Sequence, residues 1–437
     1  MNIRPLRSFD WDACHLCLGC LSITQTGTGK MNGDQGQAAS FKDAYVVLKN
    51  MAPRVGDPFS VPATISEASL EDRISIDTDE MTMPEVVQRS QERNVQAIAP
   101  VMPMRLIEPV ASVAVNGLDP QTSASSGGAT WGIEAVRATS SAFTGEGITV
   151  AVLDTGIDAG HPAFAATSIT QRDFTGEGDG DNHGHGTHCA GTVCGNLGST
   201  RIGVAPGVSR LLVGKVLGQS GGATNWIVNG ILWAMEEGAN VISMSLGTDF
   251  QRYRENLVAR GIPTLAATSI ALQGYRANVR LYDSLANTIR AQQSFRPSGC
   301  IVVAASGNES ARDGNPAYEI AAAPPSNADG FLSVAAIGRN SNHSGFEVAS
   351  FSNTGANVAA PGVDVVSAWP GGGLRSLNGT SMATPHVAGV AALWAQKALQ
   401  QTGRIHAGDL MGKLVGNASI PTGLLAADVG TGLVVAP

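Results

Sequence analysis

The second half of the chain alternates short apolar strands with helical segments. Apolar and β-branched runs recur along it, with helical stretches near 226–237 and before Cys300. Alternation of this kind predicts a mainly parallel sheet with helices on both faces. The predicted strands are 148–153, 208–217, 241–246, 301–305 and 331–337.

Three polar motifs accompany this pattern and together indicate covalent catalysis. Ser381 lies among small residues at the start of a helix predicted to be buried, where Pro385 is tolerated in the first turn. A serine hydroxyl is a weak nucleophile at neutral pH, so it needs a base and a group that orients the base. His185, in a glycine-rich segment, is the candidate base, and Asp154, at the end of an apolar strand, is the candidate acid. The order Asp, His, Ser is that of subtilisin rather than of chymotrypsin.

These motifs resemble those of the subtilisin-like serine proteases. The matching blocks are Asp-Thr-Gly from 154, His-Gly-Thr-His from 185, Val-Val-Ala-Ala-Ser-Gly-Asn-Glu from 302 and Gly-Thr-Ser-Met-Ala from 379. The resemblance covers about 130–437 and implies that Asp154 orients His185, which deprotonates Ser381. It also implies that the side-chain amide of Asn308 and the backbone N–H of Ser381 stabilise the oxyanion. The expected fold class is α/β: a subtilisin-like three-layer fold with a mainly parallel central sheet, preceded by a small α+β propeptide-like domain.

The same resemblance implies a set of substrate-binding residues. Some form an edge that pairs with an extended peptide backbone, for which a flexible glycine turn is the alternative. Others form the walls of the pocket for the residue before the cut. Thr224 stands where relatives often carry a bulky aromatic residue, which implies a wider distal pocket and tolerance for large apolar residues. The edge residues are Ser220, Gly221 and Gly222, and the wall residues are Ser245, Leu246, Gly247, Ala304, Ala305, Ser306 and Gly307.

Alternative interpretations exist for individual residues near the predicted base. The spacing of His183, His185 and His188 also suggests a zinc site, although the serine and asparagine motifs favour the protease. Asp158 is a second carboxylate near the strand end, but the family motif places the orienting acid directly after the strand. We therefore expect Asp158 to cap the following turn. Cys189, four residues beyond His185, is expected to pack beneath the imidazole on the same helical face.

Two departures from the family pattern stand out. Ala163 replaces an aspartate that in many relatives binds the strong calcium site, and the segment 196–201 contains no carboxylate. We therefore expect that site to be lost, no metal to be bound there and no cofactor to be required. The acidic segment 177–181 either binds calcium elsewhere or is simply solvated. The stretch 248–299 is longer than in compact relatives and is expected either to cover the cleft or to form a surface helix.

Composition divides the chain into four parts. Residues 1–40 are predicted to be a flexible, cysteine-containing tail, whose thiols suit either a metal ion or redox reactivity. Residues 41–118 are predicted to be the propeptide-like α+β domain, with an uncleaved regulatory domain as the alternative. The polar linker 119–129 is the candidate self-cleavage region, and 130–437 is the catalytic domain. The cysteines of the tail are Cys14, Cys17 and Cys20.

Charge and hydropathy exclude several classes of protein. The 437 residues are 43% hydrophobic, which suffices for a large core, and the net charge of −8 argues against nucleic-acid binding. No apolar run reaches the roughly 18 residues that span a bilayer. Asp10 and Asp12 follow the basic start, where a secretory signal needs apolar residues. We expect a cytoplasmic monomer with neither membrane nor nucleic-acid partners, with export by another route as the alternative localisation.

Taken together, the motifs predict a serine endopeptidase that hydrolyses peptide or protein substrates through an acyl-enzyme. We expect an autoprocessed zymogen with a broad preference for apolar residues, inhibited in the same molecule by its own N-terminal domain. Interception of the acyl-enzyme by an amine would instead give a peptide-modifying transacylase or a leader peptidase. A catalytically silent scaffold is the non-enzymatic alternative, but all four catalytic positions are filled, which favours the endopeptidase.

Overall fold

The structure, a computed structural model, describes residues 41–51, 74–110, 128–198, 200–292 and 298–437. The contacts join Lys42–Pro437 into one compact unit. The predicted tail 1–40, with its three cysteines, and most of the predicted linker 119–129 lie outside the described residues. The domain boundaries drawn from the sequence therefore stay predictions.

Strands and helices alternate along the described chain. The strands are β1 (Asp43–Asn50), β2 (Ile74–Met81), β3 (Val95–Pro100), β4 (Pro103–Leu106), β5 (Thr149–Asp154), β6 (Ser168–Asp173), β7 (Arg210–Lys215), β8 (Leu217–Gly218), β9 (Gly221–Ala223), β10 (Val241–Met244), β11 (Leu246–Thr248), β12 (Ile301–Ala305), β13 (Leu332–Arg339), β14 (Phe346–Val348), β15 (Val358–Pro361), β16 (Val365–Trp369) and β17 (Gly373–Leu377). The helices are α1 (Met83–Ser90), α2 (Trp131–Ala135), α3 (His185–Cys194), α4 (Thr224–Glu236), α5 (Phe250–Ala259), α6 (Thr264–Gln292), α7 (Thr380–Thr402), α8 (Ala407–Asn417) and α9 (Ala426–Val429).

A mainly parallel sheet forms the centre of the fold, as the alternation of strands and helices predicts. Its strand order is β14-β13-β12-β10-β5-β7-β6, with β15 also paired to β13. Within this sheet, β14 runs antiparallel to β13 and the other pairs are parallel. The five strands predicted from the sequence correspond to β5, β7, β10, β12 and β13.

Helices cover both faces of this sheet because successive side chains of a strand point to opposite faces. On β5, Val150 and Val152 pack into a core that includes α3 and α7. Ala151 and Leu153 of the same strand pack into a second core that includes α4 and α6. The predicted three-layer α/β fold is therefore confirmed. Among the described helices, none combines the length and apolar character needed to cross a membrane.

A small sheet precedes the catalytic part. Strand β1 lies between β2 and β3, antiparallel to both, and α1 connects β2 to β3. The helix begins where the backbone N–H and hydroxyl of Thr82 donate to the carboxylate of Glu85, a typical N-terminal cap. Val46 and Leu48 of β1 pack into the same core as α4 and α6. This region of strands matches the expected small α+β domain.

Strand β4 follows the N-terminal sheet but does not belong to it. It lies between β11 and β9 in an antiparallel sheet of order β11-β4-β9-β8. Its register places Arg105 opposite Gly247 and Met104 opposite both Thr248 and Gly222. The end of the N-terminal region therefore lies between two strands of the catalytic part.

The described part of the long stretch 248–299 contains α5 and α6. Helix α6 packs against β3 of the N-terminal sheet, and α5 packs against α6 and β4. The hydroxyl of Tyr253 donates to the carboxylate of Asp43 over 2.7 Å, and the guanidinium of Arg260 lies 3.2 Å from the same carboxylate. The buried amide of Asn278 donates to the carbonyl of Pro100 over 3.0 Å. Both helices therefore form hydrogen bonds with strands of the N-terminal sheet.

Candidate active site

The carboxyl end of β5 and the start of α3 bring the predicted acid and base together. Nδ1 of His185 lies 2.8 Å from Oδ1 of Asp154, and both side chains are buried. The approach is close because Gly186 has no side chain, and a Cβ there would collide with the carbonyl of Gly156. The bond fixes the orientation of the imidazole and leaves Nε2 for proton transfer.

Two histidines of α3 have opposite protonation behaviour. Burial alone would lower the pKa of His185, but the adjacent Asp154 carboxylate outweighs burial and raises that pKa well above 6.5. Burial lowers the pKa of His188 to about 3. Nε2 of His188 lies 3.0 Å from two carbonyl oxygens, those of Val365 and Arg375, so this nitrogen carries the proton and donates it. His188 is therefore a neutral residue of the core.

Ser381 is the second residue of α7, and one thiol connects it to the same imidazole. The thiol of Cys189 contacts both groups, with Sγ 3.7 Å from Nδ1 of His185 and 3.5 Å from the carbonyl oxygen of Ser381. Cys189 therefore packs beside the imidazole, where the sequence places it. It is a free thiol whose pKa is raised by burial. Nε2 of His185 has no hydrogen-bond partner among the described residues, and the Ser381 hydroxyl donates to the carbonyl oxygen of Ile107 over 2.9 Å.

The predicted oxyanion donor, Asn308, follows the end of β12. Its Oδ1 accepts hydrogen bonds from the backbone N–H of Thr380 (2.9 Å) and from the Thr380 hydroxyl (2.8 Å). These two bonds identify the other amide atom, Nδ2, as the one that faces the cleft. Nδ2 donates to the carbonyl oxygen of Glu108 over 2.9 Å.

Residues 103–110 run as an extended chain through the cleft. Strand β4 supplies the first half, and the N–H of Ile107 then donates to the carbonyl of Ser245 over 3.4 Å. On the other side of Ser381, the N–H of Val110 donates to the carbonyl of Asn378 over 2.8 Å. The protein's own backbone therefore occupies the cleft on both sides of the candidate nucleophile.

The predicted pairing edge contacts this bound segment. Gly221 and Gly222 lie in β9, which pairs with β4. Ser220 precedes the strand, and its carbonyl accepts a hydrogen bond of 2.8 Å from Arg252 of α5. In this structure the glycine-rich stretch is thus one of the two strands that flank an extended chain.

The predicted pocket walls come from two strand ends. Leu246 and Gly247 belong to β11 on the opposite side of β4, and Ser245 immediately precedes that strand. The other wall residues end β12 and lead directly to Asn308. They are Ala304, Ala305, Ser306 and Gly307, all buried.

The side chain of Met104, on β4, contacts the wall strand β11. This side chain is fully buried, and its sulfur lies 3.6 Å from the hydroxyl of Thr248. Thr224, which replaces the aromatic residue of relatives, is also buried. Its hydroxyl donates to the side chain of Asn278 over 2.9 Å and accepts from the N–H of Met102.

His183 and Asp158, the residues behind the two alternative interpretations, contact groups outside the Asp154–His185 pair. Nε2 of His183 lies at the cleft, 3.9 Å from the carboxylate of Glu108. The three histidines that suggested zinc therefore face three different sets of groups. The carboxylate of Asp158 accepts hydrogen bonds from the N–H groups of Gly160 (3.1 Å) and Gly371 (2.9 Å). It caps the turn after the strand, as the sequence predicts.

Sequence reasoning missed the part that Asp181 plays in positioning the base. One carboxylate oxygen accepts from the hydroxyl of Thr155 over 2.9 Å, and the other accepts from both the N–H and the hydroxyl of Thr187. Burial alone would raise the pKa of Asp181, but these hydrogen bonds lower it. The carboxylate joins the residue after the acid to the helix that begins at His185. The position of Asp181, four residues before His185, is the sequence signal that could have indicated this role.

The region of the expected calcium site contains an arginine. Ala163, in place of the family's aspartate, is buried. The guanidinium of Arg201 donates through Nε to the carbonyl of Gly203 over 3.0 Å and through Nη2 to the carbonyl of Val204. Backbone carbonyls that would suit a hard cation are therefore paired with a cationic side chain.

Known proteins are similar to this chain in sequence. The family model described as Subtilase family (Peptidase_S8) matches residues 145–418, more than half of the chain. The chain is 38% identical to Subtilisin Savinase of Lederbergia lenta over 278 residues, which are 61% of this chain and 84% of that protein. It is also 38% identical to M-protease of Shouchella clausii strain KSM-K16 over 278 residues, which are 61% of this chain and 60% of that protein. It is 36% identical to the Intracellular serine protease of Paenibacillus polymyxa over 262 residues, which are 58% of this chain and 68% of that protein. The match thus spans less than two thirds of M-protease. With this match, the central parallel sheet and the buried Asp154–His185 pair, the protein belongs to the subtilase family of subtilisin-like serine proteases.

Proposed function

We propose that the chain is a serine endopeptidase made as a latent zymogen, in which the N-terminal domain inhibits the catalytic domain of the same molecule. The observation that carries this proposal is the path of residues 103–110, which pass Ser381. Strand β4, the first half of this segment, pairs with strands on both sides. Backbone pairing of this kind is how an extended peptide gains affinity without strong dependence on its side chains. The segment occupies the cleft as a substrate would.

Hydrolysis follows from the groups around Ser381. His185 takes the hydroxyl proton through Nε2, the serine oxygen attacks the carbonyl carbon, and Asp154 stabilises the imidazolium. Asn308 donates to the developing oxyanion. In subtilisin, loss of the corresponding asparagine costs about 2.7–4 kcal/mol of transition-state stabilisation. The imidazolium then protonates the leaving amine, and water releases the acyl-enzyme.

Latency follows from the register of the bound segment. The hydroxyl of Ser381 donates to the carbonyl of Ile107, whereas the amide of Asn308 donates to the next carbonyl, that of Glu108. Attack requires the serine proton to be shared with His185 and the oxyanion donor to face the oxygen of the attacked carbonyl. Neither condition holds here, so we expect the segment to be cut slowly and to block the cleft until it is cut.

Side chains of the bound segment support a preference for apolar substrates. Met104, Leu106 and Ile107 are all buried against the catalytic domain. Because the backbone hydrogen bonds do not depend on sequence, we propose a broad apolar preference rather than a single required residue.

Intact mass measured before and after reaction with a fluorophosphonate probe tests the proposal. We expect one adduct on the wild type and none on Ser381→Ala. Ser344→Ala, which changes an exposed serine, should still react once. A wild-type product that begins at Glu108 would identify the peptide bond between Ile107 and Glu108 as the processing site. A product that begins within 119–129 would instead identify the polar linker as the processing site.

The variants also separate the two halves of the proposal. An adduct on a chain that never loses its N-terminal region would retain the peptidase and contradict the cleavable zymogen. A protein that neither reacts nor processes, and that hydrolyses no peptide after removal of residues 1–107 by an added protease, would contradict the endopeptidase itself.

A further inference from the structure

One cleft residue makes a charge-specific contact with the bound segment. Nη2 of Arg105 lies 2.6 Å from Oε1 of Glu309, the residue after Asn308. The side chain of Glu309 is 33% exposed. A hydrogen bond between a guanidinium and a carboxylate at this distance is stronger than a bond between neutral groups.

The carboxylate of Glu309 is held in place by a buried side chain. Nδ2 of Asn353 donates to Oε2 of Glu309 over 2.6 Å, and Oδ1 of Asn353 accepts from the N–H of Glu309 over 3.1 Å. Asn353 is 1% exposed, and its amide also donates to the carbonyl of Ser306. A side chain on Gly307 would collide with both Asn353 and Glu309. One carboxylate oxygen is thus fixed by the protein, and the other faces the cleft.

The position of Arg105 is set by the pairing of its backbone. Arg105 lies opposite Gly247 in the pairing of β4 with β11, two residues before Ile107. Any peptide bound in this register presents its side chain from the same position. Among the described residues that line the cleft, Glu177 also has a carboxylate, but one of its oxygens is bonded to the N–H of Gln219 and the other lies 3.4 Å from Lys215.

We propose that Glu309 is a specificity-determining residue. It selects substrates with arginine two residues before the residue that supplies the attacked carbonyl. The inference rests on the proposed endopeptidase function and adds a preference for arginine at one position to the broad apolar preference. The bound segment then represents the preferred substrate pattern: an apolar residue, arginine and two apolar residues.

Peptide hydrolysis by the processed enzyme tests the proposal. The substrates contain Met-Arg-Leu-Ile-Glu, with arginine kept or replaced by alanine or glutamate. We expect kcat/KM to be about fivefold higher for arginine than for alanine, as a partly exposed ion pair allows. Glu309→Gln should remove this ratio, and Glu309→Lys should favour the glutamate peptide. Glu319→Gln breaks a Glu–Arg pair of the same 2.6 Å length with Arg312 and should leave the ratio unchanged. An arginine-to-alanine ratio that is the same in Glu309→Gln as in the wild type would overturn the proposal.

A stability cycle tests the same pair without requiring catalysis. In the Ser381→Ala background, we expect Arg105→Ala, Glu309→Gln and the double variant to lower the unfolding midpoint by the same amount, about 1–3 °C. Additive shifts would contradict coupling between the two residues. If no peptide is cut but the cycle shows coupling, the proposed function fails while the contact stands. If peptides are cut with equal rates at this position, only the specificity proposal fails.

Discussion

At the scale of single residues, Asp154 controls both the orientation and the protonation of His185. The carboxylate lies 2.8 Å from Nδ1, and its charge keeps the pKa of the fully buried imidazole above 6.5. Asparagine would preserve the shape of the side chain but remove the charge. The two properties can therefore be separated by one substitution.

The first prediction concerns the pH dependence of the processed enzyme. A base must be neutral to accept the proton of Ser381, so kcat/KM should rise with pH as His185 loses its proton, with a midpoint above 6.5. In Asp154→Asn the midpoint should move to lower pH, because the charge that raised the pKa is gone. The corresponding change in trypsin lowers kcat about 10⁴-fold, and we expect a similar loss. Initial rates on one peptide from about pH 5 to pH 10 measure both effects. An unchanged midpoint in the variant would show that another group controls the profile.

At the scale of elements, a guanidinium group forms hydrogen bonds with the backbone of the segment between α3 and β7. The guanidinium of Arg201 pairs with the carbonyls of Gly203 and Val204. We propose that this internal cation makes the segment independent of calcium.

The second prediction follows from those hydrogen bonds. Arg201→Met should destabilise the protein by about 1–3 kcal/mol, because two buried carbonyls lose their donor. Calorimetry with and without EGTA should give the same unfolding midpoint for the wild type. Arg404→Met, which changes an exposed arginine, should unfold like the wild type. A midpoint that falls by several degrees in EGTA would mean that calcium is bound after all.

At the scale of the whole molecule, the sequence predicts the candidate catalytic residues better than it predicts the segment 103–110 that lies in their cleft. Asp154, His185 and Ser381 could be predicted because each lies at the end or the start of an element whose pattern is local. Asn308 could be predicted only because its segment resembles a family motif. The position of β4 could not be found in the same way. Its pairing with β9 and β11 joins residues more than a hundred positions apart. The pattern of 103–106 does not show whether this strand pairs with β9 and β11 or with the strands of the N-terminal sheet.

The third prediction is that α5 and α6 retain the N-terminal domain after processing. Asp43 accepts from Tyr253 and pairs with Arg260, so Asp43→Asn should weaken the affinity of the cut domain about tenfold. Size-exclusion chromatography of the processed protein, followed by titration of the isolated domain, measures this affinity. Asp79→Asn is the matched control, because Asp79 pairs with Arg89 of the N-terminal domain itself. Equal affinities for the two variants would assign retention to the cleft segment alone.

The eight residues 103–110 also set a mechanical condition for any protein that takes their place. At about 3.3 Å per residue, a competing chain must be drawn out over roughly 26 Å and must expose both of its backbone edges. Helices, and strands already paired on both sides, cannot meet this condition without unfolding locally. Susceptibility to this peptidase would therefore report how easily a stretch of the target protein straightens, and stable domains would survive where denatured or nascent chains are cut.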